Sequence, residues 1–369
     1  MAAHTPEFTV ADILPPAQAD ALHERYRRGF VGRSRATRDL GALDALIAET
    51  TGLLPLLAQS AALRGQTEER LTLYRAEREA IATIQAGGAN AVAAWRLAEW
   101  SEVSFLRYGR EFGGQSRTTR DLALLSELHA DQERWLAAAT PLAATLNEAK
   151  FSGQLQQMAA NLKLYSAEGG EIASARKRAA PADRVGALAA LANRQFALYR
   201  LHFEGKARVS RRPALLKRIA DALENIRSEM EAVRSAGISN PAHAANIAKV
   251  ADRVKHHRDE LGKITEARTN TPTPQLVGAL GDEANTWIAR YRNEFAGKSR
   301  EGRDLNPLAD ICEGLHEIAR STAEAIHERS AEGTPASKNL TVILDHLRVA
   351  EREFVAIRNL KRAQKAPAN

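Results

Sequence analysis

The sequence contains one cysteine, Cys312, among 369 residues. A single cysteine cannot form a disulfide within the chain or supply a cysteine-based zinc site. Cys312 lies in an apolar helical pattern, which indicates a small core residue rather than a nucleophile. Aromatic residues are only 5% of the chain, and the alternating β-branched or aromatic runs typical of strands are nearly absent. These absences argue against a disulfide scaffold and against a β-sheet protein.

Two further absences concern the membrane and export. No uninterrupted apolar stretch of about 18 residues is present, so we predict no membrane span. The segment Met1–Asp20 lacks the basic, apolar and small-residue order of a signal peptide, and we expect a cytoplasmic protein. The net charge of +7 permits binding to a polyanion without requiring it.

Helix-forming residues dominate what the chain does contain. Its apolar content is mostly alanine and leucine, and 26% of its residues are charged. Alanine, leucine, arginine and glutamate all favour helices. We therefore predict an all-α protein.

A motif of the form Y-x3-F-x-G-x-S-R-x2-R-D-L occurs four times. Its tyrosines are 82, 91 and 92 residues apart, and the third copy is degraded, with Arg212 in place of aspartate. The motif tyrosines are Tyr26, Tyr108, Tyr199 and Tyr291, and the other residues of the predicted corner are Phe30, Gly32, Ser34, Phe112, Gly114, Ser116, Phe203, Gly205, Phe295, Gly297 and Ser299. Repeated identities at fixed offsets indicate internal duplication.

The repeat predicts four units of three helices and about ninety residues each. The predicted boundaries are 1–88, 89–181, 182–273 and 274–369, the last including a basic C-terminal tail. In each unit one helix precedes the motif, a second follows it, and a third comes after a short turn. We expect the units to stack into a tandem, elongated array, with one long bundle paired across units as the alternative.

The motif reads as a tight corner between two helices. Gly32 suits the left-handed residue that follows a helix end, and Ser34 suits the N-cap of the next helix. Arg35 and Arg38 would then lie in the first helical turn, where positive charge opposes the helix dipole at a cost of several tenths of a kcal/mol. Because all four copies repeat this conflict, we expect a dedicated partner for each pair. The arginines concerned are Arg35, Arg38, Arg117, Arg120, Arg208, Arg211, Arg300 and Arg303.

Two kinds of partner fit these arginines. The first is internal: a carboxylate of the third helix, with Glu77, Glu168 and Glu351 as candidates, or a free carbonyl near Phe30. The second is an external anion such as phosphate, a nucleic-acid backbone or an acidic protein surface. Buried, paired guanidinium groups would favour the first, and solvent-facing groups the second.

The sequence offers little evidence for a metal site or a catalytic site. The spacing E-x2-H occurs at Glu313 to His316 and at Glu324 to His327, but both pairs fall on one helix, about 16 Å apart. They cannot share a metal pair, so we predict no metal and no cofactor, and interpret these side chains as solvated. No nucleophile or zinc-protease motif is present.

The remaining clusters have structural interpretations. We interpret His256 and His257 as an exposed helix face, and the most basic stretch, 206–212, as a solvated segment that could also contact a polyanion. Four tryptophans lie on helical patterns and should pack in cores or between units: Trp95, Trp100, Trp135 and Trp287.

The sequence favours a non-enzymatic helical-repeat scaffold, or a structural protein that assembles with a protein partner or with itself. The alternative is an anion- or nucleic-acid-binding protein that uses the arginine corners.

Overall fold

The computed structural model describes residues 10–146, 149–237, 241–331 and 335–365. Within these ranges the regular structure is helical and no strand occurs, which confirms the all-α prediction. The α-helices are α1 Val10–Gly29, α2 Leu40–Leu53, α3 Ala61–Ala86, α4 Gly88–Phe112, α5 Leu122–Ala143, α6 Ala149–Arg178, α7 Pro181–Phe203, α8 Pro213–Ser235, α9 Pro241–Asn270, α10 Thr273–Glu294, α11 Asn306–Glu328 and α12 Pro335–Lys365.

Helix breaks fall at the turn signals between the predicted units. Helix α3 ends at Ala86, and Gly88 follows with a φ of 72°, a value that favours glycine. Helix α7 begins at Pro181, and α10 begins with a proline in its first turn. Proline fits there because the first helical N–H groups have no partner within the helix.

The chain divides into two compact units. The first comprises Met1–Glu99 and Ala138–Gly153, and the second comprises Trp100–Ala137 and Gln154–Asn369. In the first unit, α1, α2 and α3 enclose a core of buried aliphatic and aromatic side chains: Tyr26, Phe30, Leu43, Leu46, Leu71, Tyr74 and Ile81.

The segment 40–57 of the first unit is long and apolar enough, by composition alone, to cross a membrane. It covers α2 and the 3-10 turn that follows, and two of its leucines belong to the core just described. Its Asp44 and Glu49 pair with Arg78 and Arg25 at 2.6 and 2.7 Å. Such contacts are typical of a bundle helix, and the absence of a span stays a prediction.

Among the described residues of the second unit, three core clusters are each built mainly from three successive helices. One joins Phe112, Leu128 and Tyr165 of α4, α5 and α6. A second surrounds Leu223 of α8, between α7 and α9. The third surrounds Cys312 of α11, which is fully buried, as predicted for a core residue.

The contacts within this second unit differ from those expected of an extended array. In such an array each repeat contacts only its neighbours. Here α4 contacts α11 and α12: Arg107 Nε donates to Glu313 Oε2 at 3.0 Å, and Arg358 Nη1 donates to the Gly109 carbonyl at 2.8 Å. Val103 of α4 also belongs to the core cluster of α10 to α12. The sequence repeat cannot reveal this closure, because the contacts join residues more than 200 positions apart.

Candidate functional site: the arginine corners

The four copies of the motif share the turn at the motif glycine, while a 3-10 turn follows it in the second and third copies only. We call the segments 26–40, 108–122, 199–213 and 291–305 corners 1 to 4. The motif glycines share a left-handed conformation, with φ of 75° at Gly32, 79° at Gly114, 72° at Gly205 and 69° at Gly297. In each corner the residue after the glycine donates its N–H to the carbonyl of the motif phenylalanine, at 3.1, 3.3, 3.5 and 3.1 Å. The predicted helix-ending glycine is therefore present four times.

The predicted N-cap is wrong. Helix α2 begins at Leu40, and Asp39, not Ser34, is its N-cap, accepting hydrogen bonds from the N–H groups of Gly41 and Ala42 at 2.8 and 3.2 Å. Asp121 accepts the equivalent bonds at the start of α5. The aspartate directly precedes the apolar run, and its charge favours the positive end of the helix dipole. The corner arginines thus lie ahead of the helix, and the predicted conflict with its dipole does not arise.

The first arginine of each corner pairs with a glutamate of the third helix that follows. The N–O distances are 2.7 Å for Arg35–Glu77, 3.4 Å for Arg117–Glu168, 2.8 Å for Arg208–Glu260 and 2.8 Å for Arg300–Glu353. About half of each of these arginine side chains is exposed, whereas the glutamates are mostly covered. The bond from Arg208 lowers the pKa of Glu260. Each pair joins the corner to the third helix by a charge-assisted hydrogen bond.

Two of the three candidate glutamates are the residues that the structure places at the corners, and the third is wrong. Glu351 is fully buried and lies 3.3 Å from Arg110, while Glu353 serves corner 4. Two residues rotate a helix by about 200°, so the neighbouring glutamate faces the opposite side. Glu260 was missed, although a ring three residues earlier, His257, matches the spacing of Tyr74 to Glu77.

The second arginine of each corner turns back to the end of the first helix. It donates to a main-chain carbonyl there, with N–O distances of 2.8 Å for Arg38–Gly29, 3.2 Å for Arg120–Gln115, 2.9 Å for Arg211–Lys206 and 2.8 Å for Arg303–Glu294. Arg120 and Arg211 also pair with the glutamate that binds the first arginine. The carbonyls of Gly29 and Glu294 belong to the last residue of a helix, which leaves them free, whereas those of Gln115 and Lys206 lie three residues beyond the helix end.

Two further kinds of side chain on the third helix contact the corners: a ring that packs on the motif tyrosine, and a hydrogen-bond donor. Tyr26 packs on Tyr74 with centroids 4.3 Å apart, and Tyr199 packs on His257 at 4.2 Å. His257 is fully buried, so the prediction of an exposed face is wrong for it. Eight residues after the glutamate, a side chain donates to the carbonyl of the second arginine: Gln85 to Arg38, Arg176 to Arg120 and Arg268 to Arg211.

A buried charge cluster in the second unit was not predicted. Arg107 is fully buried and donates to Glu317 of α11 at 2.8 Å, and Arg212 donates to the other oxygen of that carboxylate at 2.8 Å. Arg110 donates to Glu313 at 3.0 Å. Burial would raise the pKa of Glu317, but Arg212 and Arg107 hold that pKa well below its ordinary value. The sequence contains no sign that these residues are buried, because arginine and glutamate on helical patterns usually indicate solvated faces.

The E-x2-H pairs are not equivalent to each other. Glu313 and His316 are buried, so the interpretation as solvated residues is wrong for them; His327 is exposed. Glu313 is held by arginines, and the His316 ring lies edge-on to Trp100 at 6.4 Å. Within the described ranges, no group of three or more histidine, cysteine or carboxylate side chains could hold a metal ion.

Comparison of the chain with protein-family models, curated proteins and solved structures finds no match. The corners, the buried charges and the exposed surfaces of the chain are therefore the features that bear on its function.

Proposed function

We propose that the chain is a non-enzymatic helical-repeat scaffold made of four copies of one three-helix unit, with boundaries at 88/89, 181/182 and 273/274. Each corner joins the first helix of a unit to the second, and its arginines bind the third. Each described core cluster also draws mainly on three successive helices. A module that satisfies its own polar groups can be duplicated in tandem.

The observation that carries this proposal is the internal pairing of the corner arginines. Arg35 binds both oxygens of Glu77 through its Nε and Nη2 atoms, so one edge of its fork is occupied by an internal carboxylate. The arginines of the basic stretch 206–212 are also paired internally, since Arg208 and Arg211 share Glu260 and Arg212 binds Glu317. The alternative, anion binding at the corners, has less support because its donors are already engaged.

The buried charge cluster supports a rigid scaffold. Removing ions from water costs free energy that their mutual attraction recovers only in good geometry. A set of guanidinium and carboxylate groups from α4, from Arg212 directly before α8 and from α11 satisfies that geometry in one arrangement of the helices. We infer that the cluster selects this arrangement over other packings of similar apolar helices.

A protein partner, or a second copy of the chain, is the partner that we propose for the scaffold. Leu73 of α3 and Leu164 of α6 are exposed by 48% and 37%. They occupy the same repeat position, one residue before the ring that packs on the motif tyrosine. Exposed apolar side chains that recur on the third helix are suited to contacts with another protein.

Light scattering across a concentration series tests self-association. An increase in mass with concentration, reduced by Leu73→Glu or Leu164→Glu, would support assembly through the third helices. A monomeric mass at every concentration would count against self-assembly and leave a heterologous protein as the partner.

Heparin binding separates the scaffold from the anion-binding alternative. The variant Arg117→Ala/Arg120→Ala should lower the melting temperature, because Glu168 is left buried without its partners. The control Lys163→Ala/Lys177→Ala removes the same charge from exposed positions of α6. Equal heparin affinity in the two variants is the expected result. A far larger loss in a folded corner variant would instead favour anion binding at the corners.

A further inference from the structure

A cleft lies between α7 and α9 in the second compact unit. Its volume is about 190 Å³. The side chains that line it are Asn193, Phe196, Tyr199, Arg200, Glu204, Lys249, Arg253 and His257. It is separate from the arginines of corner 3, whose guanidinium groups bind Glu260.

Three cations line this cleft without a carboxylate partner. Arg200, Lys249 and Arg253 form no ion pair within 4.0 Å to any described carboxylate, in contrast to the arginines of the corners and of the buried cluster. Lys249 Nζ lies 5.2 Å from the centroid of the Phe196 ring. Glu204 is the single acid in the lining, so the cleft carries a net charge of about +2 at neutral pH.

A buried polar ring forms one wall. His257 has no exposed surface, and neither of its ring nitrogens has a hydrogen-bond partner among the described residues. Its ring packs on Tyr199, whose hydroxyl lies 3.1 Å from His256 Nε2. Burial lowers the pKa of His257 to about 4, so the ring is neutral at pH 7 and keeps one N–H donor. A buried polar group without a partner is costly unless a ligand satisfies it.

The first copy of the repeat neutralises the equivalent position. Six residues before the motif tyrosine, the first copy has Asp20, whose carboxylate pairs with Arg70 at 2.9 Å. The second copy has Glu102 there, which binds Arg348 and Arg352 of α12. The third and fourth copies have an uncharged amide at this position, Asn193 and Asn285. Arg253 occupies the repeat position of Arg70, seven residues before the corner glutamate, and in the third copy it has an amide opposite in place of the acid.

We propose that this cleft binds a small phosphorylated molecule. Two guanidinium forks and an ammonium group match a doubly charged phosphate, and arginine pairs with phosphate in a bidentate manner. The Phe196 ring offers a surface for an aromatic or apolar part of the ligand. The volume admits a compact organic phosphate rather than a folded polymer. This inference does not depend on the scaffold function, which concerns the corners and the third-helix surface.

Calorimetric titration of the full chain tests the site, with inorganic phosphate and phenyl phosphate as probes at physiological salt. Arg253→Gln and Lys249→Gln should each weaken phenyl phosphate binding by about tenfold or more, the loss of one charge-assisted hydrogen bond. Lys255→Gln, an exposed lysine of α9 outside the cleft, is the matched control and should change affinity by less than about twofold. All three positions are exposed, so circular dichroism should show an unchanged fold.

The two probes distinguish free phosphate from a phosphate ester. Phe196→Ala should weaken binding of phenyl phosphate and leave inorganic phosphate unaffected if the ligand is an ester. Equal affinity for both probes, lost in Arg253→Gln, would assign the cleft to phosphate itself. The proposal is overturned if neither probe shows saturable binding at millimolar concentration. It is overturned equally if Lys255→Gln weakens binding as much as Arg253→Gln does.

Discussion

Arg107 offers the sharpest test of how burial changes the value of an ion pair. Its guanidinium is fully buried, donates to Glu313 and Glu317, and lies 3.8 Å from Glu127. The variant Arg107→Met keeps an unbranched apolar chain and removes the charge. Removing one partner of a buried pair costs about 3–5 kcal/mol, because the opposite charge stays buried. Here Arg110 and Arg212 remain beside the two carboxylates, which places the expected cost near the lower limit, about 3 kcal/mol.

Arg290 is the matched control, since it also directly precedes a motif tyrosine and lies in the same compact unit. Its side chain is 34% exposed, pairs with Glu294 one turn away at 2.9 Å and lies over the Trp287 ring at 5.8 Å. Exposed pairs of this kind contribute about 0.3–0.5 kcal/mol, and an exposed cation–π contact about 0.5–1 kcal/mol. Arg290→Met should therefore cost about 1 kcal/mol.

Urea unfolding and differential scanning calorimetry measure both variants. For a domain of this size each kcal/mol shifts the melting temperature by about 2–4 °C, so Arg107→Met should lower it by roughly 6–12 °C. Adding Glu313→Gln to Arg107→Met should recover part of the loss, with a coupling of about 1 kcal/mol or more. Equal destabilisation by Arg107→Met and Arg290→Met, or a more stable Arg107→Met protein, would refute the argument from burial.

Three further predictions concern single positions. The pKa of His257 is about 4 in the folded chain and 6.5 in the unfolded chain, so between these values only the unfolded chain binds the proton and the unfolding free energy falls on acidification. His257→Phe should reduce this pH dependence by up to about 1.4 kcal/mol per pH unit. Urea titrations from pH 7 to pH 5 measure the difference. Gly205→Ala should lower the unfolding free energy by about 1 kcal/mol, because Gly205 has a φ of 72°. Gly262→Ala, in the open middle of α9, should raise the unfolding free energy by up to about 1 kcal/mol. A change of the same sign in both variants would contradict the conformational argument. Asp39→Ala should lower the unfolding free energy by about 1 kcal/mol in thermal unfolding, while Asp39→Asn should keep most of the stabilisation by the N-cap. An equal loss of stability in both variants would exclude capping as the cause.

The corners show how far local rules extend. The left-handed glycine, the helix before it and the face shared by tyrosine and phenylalanine follow from residues a few positions apart. The predicted position of the N-cap was wrong because Ser34 and Asp39 both suit an N-cap, and local preference cannot choose between them. The choice depends on where the chain, after reversing direction, brings an apolar run against the core.

Local rules do not predict which carboxylates pair with the arginines. Glu351 and Glu353 are two residues apart on α12, and only the packing of that helix decides which one faces corner 4. Arg25 and Arg107 occupy the same motif position, yet the side chain of one is 51% exposed and that of the other is fully buried. Their sequence neighbourhoods carry no sign of this difference.

Helix content, helix ends and the fourfold motif are properties of short segments, because backbone preference and capping act between residues within about a turn of one another. The closure of α4 against α11 and α12, the buried charge cluster and the cationic cleft depend on side chains brought together from separate helices. Desolvation sets the energy of those charges, and the amount of water around a side chain is known only once the helices have packed.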